Sequence, residues 1–167
     1  MAAALFARRA EGHTDRPRIA SAGLGESGYP VPDEVLQVMA RRGVDLTDHR
    51  SATLAAPLVT EAELVIGMSL RHVQESLLLV PSSWDRTFRL KELVRRGEFI
   101  GPRMPGQDLP AWVRAVQGDR TRDSLAHHSP GDDVADPYGG PFAGYEATAA
   151  ELDELTDRLA TLIWPAR

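Results

Sequence analysis

The sequence predicts an α/β fold: a small parallel sheet flanked by helices in three layers. Three observations predict it. Strand-like segments alternate with segments of helical periodicity, the pattern of a parallel sheet covered by helices on both faces. The run Glu63-Leu-Val-Ile-Gly-Met68 is apolar after its first residue, as a strand buried on both faces is. Finally, 167 residues with 43% hydrophobic side chains suit one core, so residues 1–167 read as a single domain.

Each element follows from local pattern. Met1 to Ala10 is rich in helix formers, with Leu5 and Phe6 toward a core and Arg8, Arg9 and Glu11 toward water. Arg18-Ile19-Ala20-Ser21-Ala22-Gly23 reads as a buried parallel strand ending in a glycine turn. Pro32-Asp33-Glu34 opens a helix, with proline early and acids in the first turn; Val35, Leu36, Val38 and Met39 form its apolar face and Gly43 ends it. After the strand at Glu63 to Met68, Ser69 is placed to cap a helix marked by Leu70, Val73, Leu77 and Val80, which Pro81 stops. Thr87-Phe88-Arg89-Leu90 reads as a short strand and Lys91 to Arg96 as helix. Residues 97–133 form an irregular, insertion-like segment with a helical patch at Ala111 to Val116. The last helix runs from Phe142 to Ile163, with Tyr145, Ala149, Leu152, Leu155, Leu159 and Leu162 on one face.

Composition narrows the function classes. A net charge of −5 argues against a nucleic-acid partner, whose binding surface is usually basic. No apolar run is long enough to span a membrane. The N-terminal stretch places Arg8 and Arg9 after its apolar residues, the reverse of a secretory signal, so a cytoplasmic location is expected. There is no cysteine, which removes disulfides, thiolate metal sites and a cysteine nucleophile from this chain. No cofactor is expected, since neither Gly-x-Gly-x-x-Gly nor Gly-x-x-x-x-Gly-Lys is present. His127 and His128 with Asp132 and Asp133 match no ligand spacing and read as a solvated loop, so no metal is expected.

The stretch with the character of a built site is Asp136-Pro137-Tyr138-Gly139-Gly140-Pro141. Pro137 restricts Asp136 to extended backbone angles and so limits where its carboxylate points. Tyr138 supplies an aromatic wall, and the glycines permit unusual turn angles. Ordinary turn punctuation is the competing reading of the same residues. At the predicted carboxyl edge of the sheet lie Ser21-Ala22-Gly23 and Met68-Ser69, where ligands bind in such folds.

Taken in order, these pieces resemble the low-molecular-weight protein tyrosine phosphatases in their bacterial form. The resemblance rests on Ile19-Ala-Ser-Ala-Gly23, Pro32-Asp-Glu-Val35, Arg42-Gly-Val-Asp-Leu46, His49-Arg-Ser51, Ala62 to Met68, Arg71-His-Val73 and Asp136 to Pro141. It implies that Asp136 is the general acid, that Tyr138 lines the substrate cleft, and that Ser21 and His49 hydrogen-bond and shape the catalytic loop. Ser21 also reads as a small residue at a strand end, and His49 as a turn residue bonded to nearby backbone. Gly139 stands where some members have a second tyrosine. The substrates implied are a phosphotyrosine protein or a small aryl phosphate.

Met1 to Phe6 is similar to the start of the helix that follows the family's catalytic loop. The expectation is therefore that the first, central strand, the cysteine nucleophile and the phosphate-binding arginine are missing, Arg8 and Arg9 lying within the following helix. Two readings follow: a phosphatase whose sequence here starts at an internal methionine, or a non-catalytic relative that binds a partner through the retained cleft. An arsenate reductase on the same architecture also needs cysteines and is disfavoured. Loss of a central strand predicts low stability; the alternatives are that the two orphaned strands close onto each other, or that a neighbouring chain fills the gap by self-association through the unpaired edges.

Overall fold

A computed structural model describes residues 1–123 and 130–165. The fold is helix-rich α/β with a small parallel sheet. By their contacts the residues fall into two compact units: Met1–Thr53 with Ala135–Ala160, and Leu54–Val134 with Thr161–Arg167.

The first unit is helical. Helix α1 (Ala2–Arg9) buries Leu5 completely and ends on Ala10, also fully buried. Burying a leucine contributes about 2 kcal/mol. Arg8 and Arg9 reach Asp153 on the last helix at 3.4 and 2.7 Å. Helix α2 (Asp33–Ala40) starts after Pro32 with two acids in its first turn and buries Val38 and Met39. Gly43 closes its end at φ +70°, a conformation that a side chain would strain. The long C-terminal helix (called α7 below) spans Phe142–Ile163, and Tyr145, Ala149, Leu152, Leu155 and Leu159 are buried along it.

The predicted strand at Arg18 to Gly23 does not form. Arg18, Ala20, Ser21 and Ala22 are exposed, and only Gly23 makes an isolated parallel bridge, to Thr53. The physical reason is the small side chains at Ala20, Ser21 and Ala22, which offer little apolar area to bury. This length of chain is irregular, and its end is held by Gly23 N–H donating to Ala52 O at 2.8 Å.

The second unit holds the sheet. Helix α3 (Ala56–Glu61) leads to β1 (Val65–Gly67), which is followed by α4 (Leu70–Leu79) and a 3-10 turn at Pro81–Arg86. Strand β2 (Thr87–Arg89) pairs parallel with β1 in the register Val65–Thr87, Ile66–Phe88, Gly67–Arg89. The connection through α4 is the crossover that a parallel pair needs. The fully buried strand is β2 rather than the apolar run at Glu63 to Met68: all of Thr87, Phe88 and Arg89 are buried, whereas Val65 and Ile66 are half-buried. Helix α5 (Leu90–Ile100) follows β2 directly, and its Gly97 lies under Trp112 and Leu162.

The irregular segment contains more order than its composition suggests. Helix α6 (Leu109–Gln117) is capped by Asp108, whose carboxylate accepts from Ala111 N–H at 2.6 Å. It buries Trp112, Val113 and Val116, and the Trp112 indole donates to Gly101 O at 3.1 Å. A 3-10 turn at Pro130–Asp132 then leads to Val134, whose N–H donates to Met68 O just beyond β1 at 2.8 Å.

Candidate active site

The Asp136 stretch folds as two nested turns in the first unit. Pro137 sets the extended entry, and the Asp136 carboxylate turns back to accept from Tyr138 N–H through Oδ1 at 3.1 Å. This is an Asx turn, in which a short acid replaces a backbone acceptor. Gly140 N–H donates to Pro137 O at 2.9 Å, closing a β-turn with Gly139 at φ +74°. A positive φ at the third turn position favours glycine, which explains why Gly139 stands there. A Cβ at Gly140 would lie 3.1 Å from Pro137 O, so the second glycine answers a close backbone approach.

Helix α7 supports this turn from below. The buried Tyr145 hydroxyl accepts from Gly139 N–H at 3.0 Å, and Thr148 Oγ1 donates to Ala135 O at 3.3 Å. Asp136 is exposed, and Tyr138 is 79% exposed. Among the described residues the carboxylate makes no hydrogen bond beyond that to Tyr138, so one oxygen is tied and the other is open. An exposed acid with one free oxygen can donate a proton or accept one from water.

The other predicted site residues lie in the same unit. Ser21 is exposed in the irregular stretch before Gly23. His49 is exposed in a turn, its N–H donating to Leu46 O at 3.0 Å and its carbonyl accepting from Arg50 Nη1 at 2.9 Å. Next to each, two loops are knitted together by hydroxyls. Ser27 Oγ and Thr53 Oγ1 are 2.9 Å apart, Ser51 Oγ donates to Glu26 O at 2.8 Å, and Tyr29 OH donates to Glu26 Oε2 at 2.8 Å. A shallow groove of about 440 Å³ beside α2 is lined by Leu36, Ala40, Val44 and Leu46 among others, and by none of the four predicted site residues.

Sequence reasoning missed the ionic cluster of the second unit. Arg89, 7% exposed on β2, donates to Asp132 Oδ2 at 3.0 Å and to Asp133 Oδ1 at 3.2 Å. Arg95 clasps both oxygens of Asp132. Burial pushes the Asp132 carboxyl up, but the Arg95 hydrogen bond and the charges of Arg95 and Arg89 outweigh it and hold it below the usual carboxylate range. Asp133 also accepts from Leu70 N–H at 3.0 Å and so caps α4. Ser69, the predicted cap, instead bonds His72 Nδ1 at 2.9 Å. Arg120 lies over the Phe88 ring at 3.9 Å, with Nη2 donating to Thr87 O at 2.8 Å. Its Nε is 2.8 Å from Glu92 Oε1, at ion-pair distance but without hydrogen-bond geometry. Burial lowers its pKa. The signal for this cluster was partial: Arg89 stands between Phe88 and Leu90 in a predicted strand, and a buried arginine needs a partner.

His127 and His128 lie outside the described residues. Among the described residues no group of three or more His, Cys, Asp or Glu is arranged to hold a metal ion. Asp132 and Asp133, the acids considered with those histidines, are engaged by arginines. No helix among the described residues is long and apolar enough to cross a membrane.

Residues 1–99, from α1 to near the end of α5, match the family model for low molecular weight phosphotyrosine protein phosphatase. A probable low molecular weight protein-tyrosine-phosphatase, EpsP of Ralstonia nicotianae, is 37% identical over 76 residues, 45% of this chain and 52% of that protein. The chain thus spans about half the length of that curated relative. A protein-arginine-phosphatase of Geobacillus stearothermophilus is 27% identical over 143 residues, 85% of this chain and 74% of that protein. Among solved structures, a low molecular weight protein tyrosine phosphatase from T. tengcongensis superposes with a TM-score of 0.66 at 27% identity, covering 95% of this chain and 86% of the other.

Proposed function

The chain belongs to the low molecular weight phosphotyrosine protein phosphatase family, and on that premise we propose that it carries the acid side of a phosphate-ester hydrolase site. Asp136 is the general acid, and Tyr138 is the aromatic wall against which the substrate lies. The observation that carries this reading is the Asp136 turn, where an exposed carboxylate has one oxygen held by Tyr138 N–H and the other open. Where a thiolate loop is supplied, the thiolate takes the phosphoryl group while Asp136 gives its proton to the departing oxygen. The resulting carboxylate then takes a proton from water, which attacks the thiophosphate and releases phosphate. Ser21 and His49 belong to this reading as residues that shape the loop carrying the thiolate.

This chain has no cysteine. It is therefore expected not to turn over p-nitrophenyl phosphate by itself. Turnover by the chain alone would overturn the reading. Joining a family relative's first strand and thiolate loop ahead of Met1 supplies the other half. In that hybrid Asp136→Asn is expected to lower kcat about a hundredfold, most for substrates with poor leaving groups. An unchanged kcat removes Asp136 from the acid role.

The Geobacillus relative, named a protein-arginine-phosphatase and matching 85% of the chain, favours a phosphoarginine protein as a second substrate class. The same hybrid assayed on phosphotyrosine and phosphoarginine peptides decides between them by the ratio of kcat/KM. The absence of cysteine beside an intact Asp136 turn favours a further reading, a non-catalytic binding module. Capture of one phosphorylated peptide by the chain alone, lost on Tyr138→Ala, identifies that role. A cytoplasmic location and self-association through the edge of β1 belong to the same proposal. Cell fractionation and sedimentation velocity test them.

A further inference from the structure

We propose that Tyr145 and Thr148 are positioning residues for Asp136. From α7 they hold the backbone on either side of the acid and so fix the direction in which its open carboxylate oxygen points. The inference rests on the reading of Asp136 as the acid and goes beyond it by naming what aims the group.

The turn has little to hold it from within. Asp136, Tyr138, Gly139 and Gly140 are all exposed, so water competes for the bond between Asp136 Oδ1 and Tyr138 N–H. Tyr145 and Thr148, by contrast, are 3% and 5% exposed. Each spends its hydroxyl on the turn: Tyr145 accepts from Gly139 N–H, just after Tyr138, and Thr148 donates to Ala135 O, just before Asp136. The acid and its partner amide therefore sit between two buried anchors one helical turn apart.

Neither hydroxyl is needed for packing. A phenylalanine fills the space of Tyr145 in the apolar stripe. A helical threonine usually bonds back to a carbonyl of its own helix, as Thr156 does to Leu152 O at 2.7 Å. Thr148 instead reaches out of the helix to Ala135. Proton transfer needs the acid within hydrogen-bond reach of the departing atom, and small misplacements there cost rate steeply. A fixed Asx turn supplies that aim.

The test uses the isotopically labelled chain as it stands. Amide hydrogen exchange is read at Tyr138 and Gly139, and three-bond couplings report the Asp136 χ1 rotamer. Tyr145→Phe is expected to speed Gly139 exchange about tenfold and to spread Asp136 over several rotamers. Thr148→Val is expected to have the same effect on the rotamer, and Thr148→Ser to restore it, because serine keeps the hydroxyl. A purely structural role predicts no rescue specific to the hydroxyl. If Tyr145→Phe does not fold, the Thr148 pair decides. Asp136 remaining in one rotamer in both Tyr145→Phe and Thr148→Val overturns the proposal. The two readings fail separately: an unchanged kcat in the Asp136→Asn hybrid removes the acid but leaves the clamp, whereas a fixed rotamer in these variants removes the clamp but leaves the acid.

Discussion

Asp132 shows how much a single side chain can carry. Arg95 and Arg89 meet at its carboxylate, which is 7% exposed. Taking the charge out of this cluster leaves buried Arg89 with Asp133 as its remaining offset. Asp132→Asn is therefore expected to cost about 3 kcal/mol in urea unfolding; a loss below ~0.5 kcal/mol would mean that solvent screens the pair. The pH dependence follows from the same contacts. The folded carboxyl titrates below its unfolded value, so its stabilisation is fully present above the ordinary carboxylate range and is lost as pH falls through the folded value. Wild type is expected to lose stability more steeply than Asp132→Asn between about pH 5 and pH 2, measured by thermal melts across that range. At this scale the turn from Asp136 to Gly140 was legible, because proline restricts backbone angles locally and glycine permits unusual ones. The partner of Arg89 was not, because it stands 43 positions away and no local pattern encodes that meeting.

Helices were the most legible elements. α1, α2, α4 and α7 follow their apolar periodicity, and the last runs over the span that pattern predicts, Phe142–Ile163. Periodicity failed at Arg18 to Gly23, where small residues have too little apolar area to make a strand. It also misplaced the cap of α4, whose acceptor is Asp133, 63 positions from Leu70. Element packing makes its own prediction at Gly97, where α5 meets α6 and the end of α7. An added Cβ would lie 2.8 Å from Leu162 Cδ1 and 3.1 Å from Trp112 Cζ2. The leucine methyl can move, but the indole is tied to Gly101 O and cannot move freely. Gly97→Ala is thus expected to destabilise by about 1–3 kcal/mol, despite alanine's higher helix propensity. A gain in the urea midpoint would show that the helices part without strain.

At the scale of the whole molecule, the two compact units raise the question of cooperativity. Trp84, Trp112 and Trp164 all belong to the second unit, whereas α1, α2 and most of α7 belong to the first. Tryptophan fluorescence therefore follows one unit, and far-UV circular dichroism follows both. We expect coincident transitions by the two probes, as one domain unfolding in a single step gives; separate midpoints would mean that the units unfold independently. The sequence by itself determined the α/β class, helices α1, α2, α4 and α7, the strand at Thr87–Arg89 and the turn that presents Asp136, because periodicity, the fixed angle of proline and the freedom of glycine act over a few residues; it did not show α3. Only the tertiary structure decided which carboxylates meet Arg89, that Asp133 caps α4, and that Tyr145 and Thr148 hold the acid's turn. Those contacts join distant positions, and a buried polar group is satisfied by whatever partner the fold brings within about 3 Å of it.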